Sequence, residues 1–571
     1  MREQAVDLRP PWLKTYPSSV PAEIETPRYR LLAEAPADLA ARRGGASAFT
    51  TVMPNGMSGR LSFNDVDRLS DAFAAYLREN LKLPTGARIA VQTPNGLAYP
   101  IVAFGIFKAG CTLINVNPLY TATEMMHLFA DAQPDAIVAI DMFAEKLADA
   151  LENAPIPNVV LTSAASLFPA APRLIIGAVQ KYVRKEIPRP RFAACAFAQA
   201  LAMGAQKISE GADVRAYTAG LDPDAVACLQ YTGGTTGVSK AAMLSHRNLI
   251  VNVAQFLSFV GGAIREDDHV LTALPLYHCF AFTVNMLGFF FRGAHNVLIP
   301  NPRPLVNLRP AFAKAPISFI TGVNTLFKGL LHERWFVEKP PQHLRLSVAG
   351  GMALHESVAK RWEQVTQTPL IEGYGLSEAS PVLTFNPTLR VKPGTIGVPL
   401  PWTDIKCVDD NGREVAPGEH GELIARGPQI MSGYWRQPEE TRIALRDGWL
   451  YTGDIATMDE EGYFTLVDRR KDMILVNGFN VYPNEVEATL TEHPGVKECA
   501  VVGVPDAGVG EAVRAFIVRA DKSLDAEELR DFCRTRLAPY KIPRHVVFRD
   551  DLPKSNVGKI LRKDLRGDMS P

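Results

Sequence analysis

From about Leu61 onward, segments with apolar residues at helical spacing alternate with short runs that are apolar almost throughout. That alternation points to parallel sheets covered by helices. Asp65 to Leu77 reads as a helix, Arg88-Ile-Ala-Val-Gln-Thr as a strand, Tyr99 to Lys108 as a helix and Cys111-Thr-Leu-Ile-Asn-Val as a strand again. Ser318-Phe-Ile-Thr-Gly and Leu346-Ser-Val-Ala-Gly-Gly continue the series, the second running into a glycine turn. No repeat with a period of roughly 20 to 50 residues is visible, so solenoids and propellers drop out of first consideration.

The pattern then changes twice. After about Gly394, short alternating segments (Ile405 to Val408, Gly421 to Ala425, Tyr463 to Val467) are divided by Gly and Asp turns, as in antiparallel sheet. Beyond Lys471, Asn484 to Glu492 and Asp525 to Leu537 read as helices, and Cys499 to Val504 and Val513 to Val518 as strands. The charged run Asp468-Arg-Arg-Lys-Asp472 separates the two styles and suggests domains at 1–470 and 471–571. The expected class is α/β: a large N-terminal lobe of helix-covered, mostly parallel sheets with a small antiparallel β subdomain, followed by an α+β C-terminal domain. With 571 residues, 47% hydrophobic and 21% charged, the chain has the apolar material for cores of that size.

Charge and cysteine usage narrow the setting. Lys plus Arg (61) equals Asp plus Glu (61), which argues against a nucleic-acid partner recruited by whole-molecule charge. The seven cysteines are scattered with no C-x-x-C pair, a spacing that suits free thiols in a reducing compartment. No apolar signal stretch is visible at the N-terminus. The most apolar window, Cys279 to Phe291, has 13 residues, where roughly 18 to 20 are needed to span a bilayer. A cytoplasmic protein is expected. Leu174 to Lys185 has apolar residues on one face and a basic end, which suits an anionic membrane surface. The plainer reading, a surface helix whose apolar face packs on the protein, takes precedence.

The strongest local signal is Leu229-Gln-Tyr-Thr-Gly-Gly-Thr-Thr-Gly-Val-Ser-Lys240, a strand running into a loop of Gly and Thr. Such a loop offers backbone N–H groups and hydroxyls to phosphate oxygens, with a lysine as counter-charge. It is not a Walker A loop: five and six positions after Gly233 stand Val238 and Ser239, not Gly and Lys.

Tyr231 to Lys240 resembles the phosphate loop of the adenylate-forming superfamily, which includes acyl-CoA synthetases, peptide-synthetase adenylation domains and beetle luciferases. Four more motifs follow in that family's order: Gly373-Tyr-Gly-Leu-Ser-Glu378, Tyr451-Thr-Gly-Asp454, Asp468-Arg-Arg-Lys-Asp472, and Gly558-Lys559 followed by Ile-Leu-Arg. The resemblance runs from Trp12 to Arg562 and is greatest to bacterial long-chain fatty acid–CoA ligases, on Asp447 to Ala456 and Val467 to Glu487. Ser239 stands where much of the superfamily has Pro, and Ala241 where it has Gly, so loop stiffness differs while the phosphate donors remain.

The resemblance implies ATP, Mg²⁺ and, as co-substrate, CoA, with a fatty acid activated to acyl-AMP and then passed to the thiol. A carboxylate and ATP repel each other, so cations must gather where they meet. By resemblance, Thr232, Gly233, Gly234, Thr235, Thr236, Gly237 and Lys240 hold phosphates, and Glu378 ligates Mg²⁺ with Thr232. Gly351, Gly373, Tyr374 and Gly375 wall the adenine, and Asp454 and Arg469 take the ribose. Lys559 bridges the carboxylate and the α-phosphate, and with Glu378, Thr235 and His278 makes up the catalytic set. Lys471 matches the hinge of a mobile C-terminal domain, and Phe282 an aromatic gate to the acyl pocket.

Each residue also has a plainer reading: single glycines as turns, Glu378 as a helix N-terminal carboxylate, Asp454 as a turn aspartate, Lys471 and Lys559 as solvated lysines, and the residues after His278 as core. The implied setting is fatty acid metabolism, including β-oxidation. A medium-chain or aromatic acid, a carrier protein as acceptor and luciferase-type oxidation stay open. So do a homodimer and a peripheral seat on the inner face of the cytoplasmic membrane.

Overall fold

The buried apolar runs assemble into two large sheets. In the computed structural model, which describes residues 10–18, 20–24, 27–232, 239–260, 262–477, 479–506, 509–555 and 558–567, a seven-stranded sheet has the order Cys195–Ala196, Asn158–Thr162, Ala136–Ile140, Arg88–Gln92, Thr112–Asn115, Val226–Thr232, Lys240–Ser245. Neighbours are parallel except the last pair, an antiparallel hairpin that sets Thr232 opposite Lys240. Ala136–Ile140 is buried along its whole length, as a strand covered on both faces must be.

A nine-stranded sheet runs Val398–Pro399, Val382–Phe385, Leu370–Gly375, Leu346–Ala349, Phe319–Gly322, His269–Thr272, His295–Leu298, Ser47–Val52, Ser58–Ser62. Its central pairs are parallel, and antiparallel pairs close both ends. The helix Phe63–Ala75 starts on a capping box: Asp65 N–H donates to Ser62 Oγ and Ser62 N–H to Asp65 Oδ2, both at 3.1 Å. It packs on Ala98–Lys108, a helix with no exposed face. At the end of that helix the buried Lys108 amine meets Asp67 at 2.6 Å and Asp71 at 2.5 Å, so the charge is not left bare.

The later segments form two further sheets. Asp404–Val408, Gly421–Arg426, Trp449–Met458, Leu445–Arg446 and Phe464–Arg469 pair antiparallel. After the short helical turn Arg470–Asp472 comes a mixed sheet of Phe479–Val481, Ile474–Val476, Gly510–Arg519, Val496–Asp506 and His545–Arg549. It carries the helices Pro483–Thr491 and Ala526–Arg534.

One segment adds a feature that the sequence pattern did not carry, and another departs from expectation. The apolar window beyond Cys279 folds as a helix whose middle, Ala281–Phe289, is wholly buried and takes the wider π hydrogen-bond pattern. The segment from Leu174 does not pack its apolar face on the protein. It forms Ala170–Ala178 and the π turn Val179–Val183, and Ile176 is its one buried residue. The chain spends its core contact just before this helix, where the buried Phe168 ring fills the space over Gly59.

The helix Phe197–Ser209 meets Phe63–Ala75 at Gly204, where a Cβ would overlap the Ala72 carbonyl oxygen. Gly204→Ala is expected to destabilise the large lobe by about 1 to 3 kcal/mol, measured as a lower urea midpoint for the first unfolding transition.

Candidate active site

The hairpin Trp449–Met458/Phe464–Arg469 sets Asp454 directly across from Arg469. Arg469 Nε lies 3.1 Å from Asp454 Oδ1, and Tyr374 Oη donates to Oδ2 at 2.6 Å from the end of Leu370–Gly375. Asp454 is 2% exposed, so this carboxylate is held by one cation and one hydroxyl in place of water. The Asp454 charge raises the Arg469 pKa, and burial pushes the Tyr374 hydroxyl far up, so both remain proton donors. Gly373 and Gly375 flank the tyrosine. A Cβ on Gly375 would overlap the Pro381 carbonyl, so a neighbouring turn already requires glycine there, whatever ligand approaches. Gly351 has φ +75, a backbone that disfavours side chains, and lies on the exposed turn after Leu346–Ala349.

Glu378 sits on the short helix Ser377–Ala379, which packs against the Val226–Thr232/Lys240–Ser245 hairpin. Tyr434 Oη donates to Glu378 Oε1 at 2.8 Å. The Tyr434 ring also lies under the Lys240 amine, 5.4 Å from its centroid, and Lys240 pairs with Glu440. Thr232 Oγ1 donates to the Lys240 carbonyl at 3.3 Å. Tyr434 therefore joins the carboxylate expected to bind metal to the lysine expected to bind phosphate. Gly233, Gly234, Thr235, Thr236 and Gly237 lie outside the described residues.

His278 opens the buried π-helical segment. Burial and then the nearby Lys559 charge push its pKa down to about 4, so the ring is neutral at pH 7. Phe280 N–H donates to Nδ1 at 3.3 Å, which leaves the ring proton on Nε2. Phe282 is fully buried with its ring 6.4 Å from Phe107, inside the main core. Its position is that of a core side chain.

Lys559 arrives from the C-terminal unit. It keeps an open side, yet the protein crowding its amine, and then Arg469, lower its pKa to about 8, with Asp454 opposing. Gly558 before it has φ +85 and sits so close to Thr325 and Arg303 of the large lobe that a Cβ would crowd both. Three residues after Lys559, Arg562 enters a buried cluster: Nε to Glu487 Oε1 at 3.1 Å, Nη2 to Glu487 Oε2 at 2.7 Å, Nη1 to Asp468 Oδ1 at 3.1 Å, and a further contact to Asn484. Lys471 is exposed on the turn Arg470–Asp472, and its carbonyl accepts from Arg566 at 3.4 Å.

Asp454, Arg469, Tyr374, Glu378, His278 and Lys559 thus converge, as the electrostatic influence of Arg469 on Lys559, of Glu378 on Arg469 and of Lys559 on His278 also records. Two cations, a neutral imidazole donor and two carboxylates at one place suit the binding and reaction of a polyanion. Tyr434, Arg562 and Glu372 were missed from sequence. Glu372 is buried, its pKa pushed up to about 8 by that burial, and accepts from Leu354 N–H at 3.1 Å behind Gly373. Two of them had a local signal: Tyr434 the Gly-Tyr-Trp triplet between two strand patterns, and Arg562 its place at the end of the motif that begins at Gly558.

The family model described as AMP-binding enzyme matches residues 37–435, and that described as AMP-binding enzyme C-terminal domain matches residues 485–559. A long-chain-fatty-acid–CoA ligase of Escherichia coli O157:H7 is 45% identical over 97% of this chain and 97% of its own. One of Haemophilus influenzae is 42% identical over 97% of this chain and 98% of its own. Among solved structures, ATP-bound MatB from Rhodopseudomonas palustris superposes with a TM-score of 0.79 at 28% identity, over 94% of this chain and 98% of that one.

Acetic anhydride attacks only unprotonated amines, so the pH dependence of Lys559 acetylation, read by mass spectrometry of its peptide, is expected to have its midpoint near about 8. Asp454→Asn removes a charge that favours the ammonium and is expected to move that midpoint lower still.

Proposed function

This chain belongs to the AMP-binding enzyme family, and from that premise we infer that it is an ATP-dependent, AMP-forming long-chain fatty acid–CoA ligase. The fatty acid carboxylate attacks the α-phosphorus of ATP and pyrophosphate leaves. The CoA thiol then attacks the acyl carbon and AMP leaves. The observation that most supports our assignment of residues is the Asp454–Arg469–Tyr374 group standing beside Lys559.

In this reading Asp454 accepts from the ribose hydroxyls while Arg469 and Tyr374 fix its orientation. Lys559, as the ammonium, holds the incoming carboxylate against the α-phosphate and offsets the charge that builds there. His278 donates from Nε2 without adding charge. Lys240 and the loop before it hold the outer phosphates. The donor set fits Mg²⁺: Glu378 supplies a hard carboxylate oxygen oriented by Tyr434. With Glu378, the Thr232 hydroxyl would hold the ion, and phosphate oxygens and water would complete its shell. Bound there, the ion would spread the charge of the leaving pyrophosphate.

We place the mobile C-terminal domain at 471–571, pivoting at Lys471, and give Phe282 the gate of the acyl pocket, a role that requires its ring to leave the core position it holds in this structure. An apolar pocket is needed because each buried CH₂ contributes roughly 0.8 kcal/mol. No helix among the described residues is long and apolar enough to cross a membrane. We propose that the enzyme works in the cytoplasm, peripherally on the inner face of the membrane.

The reading requires that purified enzyme with magnesium, ATP and a palmitate-like acid exchange labelled pyrophosphate into ATP; no exchange would overturn it. Lys559→Ala should lower that exchange by at least about 100-fold, while conversion of supplied acyl-AMP and CoA to acyl-CoA stays within severalfold of wild type. Equal loss of both steps would remove Lys559 from the role given to it. In the wild type, kcat/KM for acyl-AMP formation should fall as pH rises through about 8, as the ammonium is lost, and Lys559→Arg should carry that fall beyond the accessible range.

A further inference from the structure

The helix Ala170–Ala178 and its continuation Val179–Val183 stand out from the surface on a single buried side chain, Ile176. Leu174 is 69% exposed, Tyr182 70% and Val183 74%, and Ile175 and Val179 are also exposed. A water-facing surface does not ordinarily gather five large apolar side chains on the ten residues from Leu174 to Val183 unless something covers them.

The charges beside them indicate what does. From Ala170 to Lys185 there are four cations, Arg173, Lys181, Arg184 and Lys185, and no Asp or Glu. Arg184 is partly answered by Glu186 at 3.5 Å. Among the described residues Arg173, Lys181 and Lys185 have no carboxylate partner, and Lys181 lies over the ring of Tyr182, 5.5 Å from its centroid. Apolar side chains that reach outward, an aromatic residue with a polar tip, and ammonium groups on flexible stems beside them match the boundary between acyl chains and anionic headgroups. A second protein copy would have to bring carboxylates to the same patch, whereas a bilayer containing anionic phospholipid supplies negative charge and apolar depth together.

We propose that residues 170–185 dock the protein on an anionic phospholipid bilayer, with Leu174, Ile175, Val179, Tyr182 and Val183 entering the headgroup and upper acyl layer and the four cations lying among lipid phosphates. The proposal deepens the peripheral membrane seat given under the proposed function and rests on that reading for its use, but not on which residues do the chemistry. A ligase anchored this way meets its fatty acid where the acid is most concentrated.

The test is co-sedimentation of the full-length protein with vesicles of mixed phosphatidylglycerol and phosphatidylethanolamine, against vesicles of phosphatidylcholine alone. Wild type is expected to bind the first and not the second, and to be released by high salt. Lys181→Glu with Arg184→Glu should weaken binding by at least about 25-fold, taking roughly fivefold for each cation lost. Leu174→Ser with Tyr182→Ser should weaken it with every charge in place. Both double variants should keep the wild-type melting temperature and the wild-type rate of acyl-CoA formation from a soluble medium-chain acid without vesicles, since they lie outside the reaction centre. Equal binding of wild type to both vesicle types, no binding, or variants that bind like wild type would overturn the proposal. So would a wild-type dimer in sedimentation equilibrium that Leu174→Ser with Tyr182→Ser turns into a monomer, because the patch would then be an interface between copies. If acyl-CoA formation is absent while vesicle binding follows the expected pattern, the proposed chemistry fails and the docking surface stands.

Discussion

A single guanidinium ties the end of the chain to the place where its two sheet styles meet. Arg562 reaches Asp468 at the close of the antiparallel sheet and Glu487 and Asn484 on the helix beyond it, while Arg566 takes Asp472 at 2.7 Å. Burial works against charge throughout this cluster. It raises the carboxyl pKa values of Asp468 and Glu487, and it acts against the Arg562 charge, which Glu487 and then Asp468 outweigh. Loss of one partner from such a buried group leaves the others uncompensated, a cost of about 3–5 kcal/mol. Lys559 lies three residues before the guanidinium, so its approach to Asp454 and Arg469 depends on this cluster on one side and on the Gly558 contact with the large lobe on the other.

Much of the architecture was legible because burial on both faces leaves a mark in the amino acids. The strands at Arg88–Gln92, Thr112–Asn115, Phe319–Gly322 and Leu346–Ala349 are short apolar runs, and nothing else in a chain of this composition needs such runs between helices. The switch to alternating segments after Gly394 marks the antiparallel sheet just as directly. Periodicity says nothing, however, about which hydrogen bond closes a helical turn, so the π pattern of Ala281–Phe289 had no signature. Nor does it say whether an apolar face has a partner. The Leu174 segment has the pattern of a packed surface helix, yet Ile176 is the one residue of it that the protein buries.

At the candidate site, motifs indicated residue types and left their relations blank. Asp454 and Arg469 stand in separate motifs, and their pairing follows from hairpin register. Tyr434 orients Glu378 from 56 residues away, a relation that exists only in three dimensions. Gly375 sits in a motif read as a wall for a flat base, yet the Pro381 carbonyl explains the glycine without any ligand. His278 is another case: a histidine in sequence is charged or neutral according to its surroundings, and burial beside Lys559 makes this one neutral.

The cross-strand pair of Asp454 and Arg469 lies only two residues from Lys471. If the C-terminal domain pivots at Lys471 as proposed, a nucleotide gripped at Arg469 would splint the base of that lever, and relaxation of the grip would unlock it. Domain motion and the hold on the nucleotide would then be mechanically one event, coupled across a dipeptide.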